Sequence, residues 1–184
     1  MRQVLVRWFW AGVCALVMGL GLLPGAAMAV LTDDRYDGEI FALYAGNGSL
    51  VPPKVTLEQS IAKGKPALVV FYIDDSADCK TYATVISNVQ ALYGREANLM
   101  PIRVDSLEAK DSYEPTDPGY YYKGYVPQTL LFDQNGKVRL DEQGQVPFEK
   151  IDDTFRQIFD LLPREESAVL KRRQINEVST ELSK

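Results

Sequence analysis

Cys79 stands three residues after Ser76 in the run Asp74-Asp75-Ser76-Ala77-Asp78-Cys79. A thiol or hydroxyl at a predicted helix start becomes a nucleophile only if a base or a positive environment activates it. The rest of the sequence restricts how that could happen. There is no histidine among the 184 residues. That excludes Ser-His-Asp and Cys-His pairs and His metal sites. It also removes the one side chain that titrates near neutrality unperturbed. The two cysteines, Cys14 and Cys79, are too few for a Cys-rich zinc site. Acid-base work would fall to a carboxylate, Lys, Tyr or Cys with a shifted pKa. A helix N-terminus favours a thiolate at Cys79, whereas Asp74, Asp75 and Asp78 oppose it. The expectation is an unreactive Cys79, with no metal and no cofactor.

The two cysteines also belong to different parts of the chain. Residues 1–29 contain no acid, and Arg2 and Arg7 precede an apolar run from Trp8 to Leu23. Pro24-Gly25 breaks that run, and Ala27-Met28-Ala29 supplies small residues at a cleavage position. This is the plan of a secretory signal peptide. Read as a retained anchor, residues 8–31 are long enough to span a bilayer, and the positive residues before them keep the N-terminus inside. Both readings stay open, and both place the remainder across a membrane from the cytoplasm. Cleavage removes Cys14, and a single remaining cysteine cannot form an internal disulfide. The formal net charge is -5. The basic cluster Lys171-Arg172-Arg173 is flanked by acids, so no nucleic-acid partner is expected.

Something must hold Ser76 and Cys79 in place. Thr32 to Asp37 reads as a polar, mobile lead-in, and Glu39–Tyr44 as a short strand. Thr56 caps a short helix, with Gln59 as its capping-box partner. Ala67–Ile73 is a continuous apolar run that suits a strand buried on both faces. Asp74, Asp75 and Ser76 can each cap the helix that follows, over Ala77–Tyr93. Its apolar stripe comprises Tyr82, Val85, Ile86, Val89 and Leu92. Leu99–Val104 is the next strand, in which Pro101 suggests either an interruption of the ladder or a parallel strand with one N–H position left free. Residues 105–118 form a solvated loop carrying Asp105, Glu108, Asp111, Glu114 and Asp117. One helical turn is expected within 119–125, where Tyr120, Tyr121, Tyr122 and Tyr125 pack the loop onto the core, with a protein interface as the alternative. Gln128–Phe132, Asn135-Gly136 and Lys137–Leu140 make a hairpin. A helix begins at Pro147 and reaches Leu162, and a charged helix covers 164–184. The fold class is α/β: a mixed central sheet with helices on both faces.

That order resembles thioredoxin. The match is carried by Phe71-Tyr72-Ile73-Asp74-Asp75-Ser76-Ala77-Asp78-Cys79-Lys80, which aligns with the family's strand, Cys-Gly-Pro-Cys motif and helix start. It is carried again by Gly124-Tyr125-Val126-Pro127-Gln128-Thr129-Leu130-Leu131-Phe132, which resembles the cis-proline loop and the next strand. The resemblance covers residues 37–163 and implies a thioredoxin-like domain over 30–163. The departures concern chemistry. Ser76 stands where the family has its attacking cysteine, and Ala77-Asp78 replaces Gly-Pro. Asp75 replaces the tryptophan before the motif, Val70 the buried acid, and Thr84 the helix-kinking proline. Dithiol exchange needs one thiolate to attack and a second to resolve, so the degenerate motif Ser76-Ala77-Asp78-Cys79 implies no catalytic residue.

A closer resemblance is to the cyanobacterial thylakoid photosystem I accumulation factors, which are thioredoxin-like proteins. It rests on the export segment, on Val51-Pro52-Pro53-Lys54-Val55-Thr56-Leu57, on 71–82 and on Tyr125-Val126-Pro127-Gln128. It implies a protein at the thylakoid membrane or in the lumen, with the periplasm as the alternative. Its partner would be a photosystem I subunit or assembly factor. The groove beside the lost motif would bind that partner through Asp75, Ser76, Tyr125, Val126 and Pro127, by pairing with an extended segment. Two alternatives stay open: a single-thiol exchange protein using Cys79, and a general exported chaperone.

Overall fold

The structure is a computed structural model and describes residues 30–167. The export segment 1–29 and the end of the chain from 168 lie outside the described residues. So does most of the charged helix expected over 164–184, of which Arg164–Glu166 forms a 3-10 turn.

The centre is a four-stranded mixed sheet in the order β2-β1-β3-β4. Its strands are β1 (Ala67–Tyr72), β2 (Asn98–Arg103), β3 (Gln128–Phe132) and β4 (Val138–Gln143). β1 pairs parallel with β2 and antiparallel with β3, and β3 and β4 form the expected hairpin. Every residue of β1 is buried, because the strand is interior to the sheet and both its faces are covered. Side chains alternate across a strand, so β1 divides its apolar run between two cores. Leu68, Val70 and Tyr72 join one core, and Ala67, Val69 and Phe71 the other.

The first core is closed by α3 (Ala77–Tyr93) and α4 (Phe148–Ile158). α3 contributes Tyr82, Ala83, Ile86, Val89 and Tyr93, and α4 contributes Ile151 and Phe155. Tyr93 and Phe155 stack with centroids 4.3 Å apart. The second core takes Leu57 from α2 (Leu57–Ala62), with Met100, Leu130 and Phe132 from the sheet. The predicted capping box is formed: Gln59 N donates to Thr56 Oγ1, and Thr56 N donates to Gln59 Oε1. Pro101 is paired in register with Val70 on edge strand β2, where the missing N–H is tolerated.

Three expectations are corrected. Glu39–Tyr44 is not a strand: Ile40–Leu43 is a helix, α1. The Glu39 carboxylate accepts from Phe41 N and Ala42 N, and the adjacent Ile40 and Phe41 are both buried. A strand would have sent those neighbours to opposite faces, so this segment does not add a strand to the sheet. Leu92 is 64 % exposed, because Val89 and Tyr93 continue the inward line and Leu92 falls beside it. α4 stops at Ile158 instead of Leu162, where Asp160 turns the chain with a φ of 53°.

Candidate functional site

β1 and β3 run antiparallel with Phe71 opposite Gln128. The loop after β1 and the loop before β3 therefore meet at the same end of the sheet. This juxtaposition brings Asp75 and Ser76 to the side of the molecule that carries Tyr125, Val126 and Pro127.

Of the three candidate caps, only Ser76 caps α3. Its backbone is extended, and its Oγ accepts from Cys79 N at 3.3 Å. The hydroxyl at the attacking position is thus bound to the helix it precedes. Asp75 is exposed. Asp74 turns inward, accepting from Ile40 N at 3.3 Å and from Arg103 Nη1 at 2.8 Å. Burial raises its pKa, against the pull of those two donors.

Cys79 is 1 % exposed and belongs to the first core. Burial pushes its thiol pKa up, and the charges of Asp78 and Asp74 add to that. Hydrogen bonds from Ile73 and Ser76 pull the other way without reversing it. Nearby, the Tyr82 hydroxyl meets Thr129 Oγ1 at 2.7 Å inside the core.

The Val126-Pro127 peptide is cis, as the resemblance implied, and so is Val51-Pro52. Pro127 is buried, Val126 half-buried and Tyr125 half exposed. Pro127 O accepts from Gly144 N at 2.7 Å, and Gln145 Nε2 donates to Asp78 Oδ1 at 2.8 Å. The turn after β4 therefore connects the proline loop to the first turn of α3. Gln128, buried at the start of β3, fixes the loop from within. Its side chain accepts from Lys123 N and donates to Tyr121 O and to Asp141. Tyr121 packs edge-on against Phe132 and Tyr122 against Phe71, each with centroids about 5 Å apart. Tyr120 and Tyr125 remain outside as exposed aromatics. The tyrosine cluster thus divides into two rings that hold the loop and two that face solvent.

The lead-in segment also differs from its expectation. Residues 33–37 are fixed against α3 by Lys80, whose side chain is fully buried. Lys80 Nζ donates to Asp33 O, Asp33 Oδ1, Arg35 O and Asp37 Oδ2, at 2.6 to 3.1 Å. Burial alone would lower the Lys80 pKa, but the Asp37 and Asp33 carboxylates outweigh it and the net shift is upward. Tyr44 donates to Asp37 at 2.6 Å, and with Lys80 and Arg35 it holds the Asp37 carboxyl well below the usual carboxylate range. Asp34 Oδ1 accepts from Ala77 N at 2.8 Å, the first residue of α3. Sequence reasoning missed this group. The available signal was Lys80 lying between Cys79 and Tyr82 on the buried face of the helix.

Among the described residues, no group of three or more Cys, Asp or Glu gathers as metal ligands, and two of the acids of 105–118, Glu108 and Asp117, pair with Lys110. Among the described residues, no helix is long and apolar enough to cross a membrane.

Known proteins bear on this geometry in three ways. The family described as a thioredoxin-like domain matches residues 53–159. A protein named thylakoid membrane protein slr1796, from Synechocystis, is 49% identical over 174 residues, covering 91% of this chain and 87% of its own length. Among solved structures, the germline-specific thioredoxin Deadhead of Drosophila has 20% identity and a TM-score of 0.43, covering 54% of this chain and 87% of that one. The exposed lipoprotein thioredoxin Etrx1 of Streptococcus pneumoniae has 15% identity and a TM-score of 0.44, covering 55% of this chain and 89% of that one. With the mixed sheet, the cis-proline loop beside the start of α3 and more than half its length matched, the chain belongs to the thioredoxin-like family.

Proposed function

We propose that this thioredoxin-like protein works by holding a protein partner rather than by exchanging disulfides, and that it supports photosystem I accumulation at the thylakoid membrane. One observation carries the reading: the cysteine left in the motif is buried in the core, and the hydroxyl at the attacking position is engaged as a helix cap. A buried thiol with a raised pKa is a poor attacking group, and serine without a neighbouring base is another. The cis-proline loop nevertheless keeps its shape, held by Gln128 and flanked by exposed Tyr125. Exposed aromatics beside a preformed groove suit recognition of an extended protein segment.

The thylakoid setting is supported by the printed name of the Synechocystis relative. The partner on this reading is a photosystem I subunit or an assembly factor, met across the membrane from the cytoplasm. The test is photo-crosslinking from Asp75 and from Tyr125 in isolated membranes of the native host, followed by identification of the captured proteins. Recovery of photosystem I or assembly proteins is expected. Recovery of neither refutes the reading. Cys79→Ser separates the single-thiol alternative: full complementation by this variant is expected, and its failure with a folded protein favours exchange chemistry.

A further inference from the structure

We propose that residues 33–37 are an autoinhibitory strap, latched by Lys80 over the start of α3 and displaced by an acidic segment of the partner. The proposal rests on the reading of this end of the fold as a protein-contact surface.

The strap is held almost entirely by polar contacts. Neither core includes a residue of 33–37, and Tyr36 is 64 % exposed. Among the described residues, the restraints on the strap include the Lys80 ammonium, the Ala77 N–H and the Tyr44 hydroxyl. All three are donors, and the strap answers them with the carboxylates of Asp33, Asp34 and Asp37 and the carbonyl oxygens of Asp33 and Arg35. Its position matters as much as its chemistry. Ala77 follows Ser76 directly, so Asp34 occupies the helix end beside the degenerate motif. An incoming chain that docks along the proline loop and reaches Ser76 meets the strap there.

The same contacts define what can replace it. Lifting the strap uncovers the Lys80 ammonium and takes away the carboxylate and carbonyl acceptors the strap supplies, which water replaces without the opposite charge. An extended segment carrying carboxylates restores those acceptors while releasing the strap. An apolar or basic segment does not. The strap has the advantage of being on the same chain, which gives it an effective concentration of about millimolar order. A partner segment must exceed that before it docks.

The experiment opens the latch from both sides in the full chain. Lys80→Met removes the ammonium while keeping the stem. Asp33→Asn combined with Asp37→Asn leaves α3 untouched and guards against a folding defect in the first variant. Trypsin cleavage after Arg35, whose carbonyl is held by Lys80, reports on strap opening and is expected to accelerate about tenfold or more. Photo-crosslinking from Asp75 in host membranes reports on docking and is expected to rise severalfold in the opened variants. A synthetic peptide with the sequence of residues 31–38 should suppress that crosslinking in the Asp33/Asp37 variant, and the same peptide with Lys for Asp should not. Faster cleavage with unchanged or weaker crosslinking overturns the strap. Unchanged cleavage in both variants overturns the latch, and equal suppression by the two peptides overturns the acidic-segment chemistry. No crosslink in any variant refutes the contact-surface reading itself.

Discussion

Cys79 provides the sharpest measurement on this fold, because the single-thiol reading needs a reactive Cys79 and the binding readings do not. The perturbation is an alkylating reagent applied to the native protein at pH 7, with Cys14 and Cys79 followed as separate peptides by mass spectrometry. A free thiol of pKa about 8.5 is about 3% thiolate at that pH. Burial raises the Cys79 pKa, so its thiolate fraction is smaller still. Access adds a larger factor. The side chain is packed in the first core at 1 % exposure, among residues that open only when α3 leaves the sheet. Opening a core element costs an appreciable part of a global stability of about 5 kcal/mol or more, and each 1.4 kcal/mol is about tenfold. The expected rate is therefore at least about a thousandfold below that of glutathione under the same conditions, and denaturant should restore it. Labelling within about tenfold of glutathione would refute the argument. It would show an accessible thiolate and return the single-thiol reading to the front.

Further measurements test other parts of the structure. Tyr82→Phe leaves the buried Thr129 hydroxyl without this partner, and Thr129→Val leaves Tyr82 with Val146 alone; each should cost about 1–2 kcal/mol, while the double variant costs less than their sum, as read by urea denaturation. Phe155→Ala removes a fully buried ring stacked on Tyr93 and should cost about 3–5 kcal/mol in the same assay. Thr56→Ala breaks the capping box and should cost about 1 kcal/mol. The Asp37 carboxyl is held below its ordinary pKa first by Tyr44 and then by Lys80, so its contribution is fully present above about pH 4 and is lost as the pH falls further. Asp37→Asn should lower stability at pH 7, and the gap to wild type should narrow steadily as the pH falls below about 4. A gap that is constant with pH would refute that linkage.

Much of the framework was legible because it depends on local rules. The run Ala67–Tyr72 is apolar throughout and bounded by turn residues, so a fully buried strand follows. Ser76 precedes a helical pattern and caps it, and Thr56 with Gln59 is a capping box in both sequence and structure. The short segment at 39–44 was misread because a four-residue helix and a short strand share the same apolar composition. Its type was settled by Glu39 capping Phe41 N and Ala42 N. Leu92 was misplaced because periodicity gives the line of a stripe but not which residues along its margin meet the sheet, and Leu162 because the helix ends at Ile158 before the turn at Asp160.

The sequence by itself determined what this protein lacks and where: no histidine anywhere, and a serine in place of the attacking cysteine. These are facts of side-chain identity, and no folding can restore a missing group. Only the tertiary structure decided what the remaining groups do. It buried Cys79, turned Asp74 toward Arg103, and joined Lys80 to acids more than forty residues away along the chain. A charged residue in a helix pattern reads as solvent-facing, because burying a lone ammonium is prohibitive. Its partners lie in a segment whose own sequence shows no reason to be ordered. The pair becomes visible only when the fold brings both halves together, since the acceptors on one offset the burial of the other.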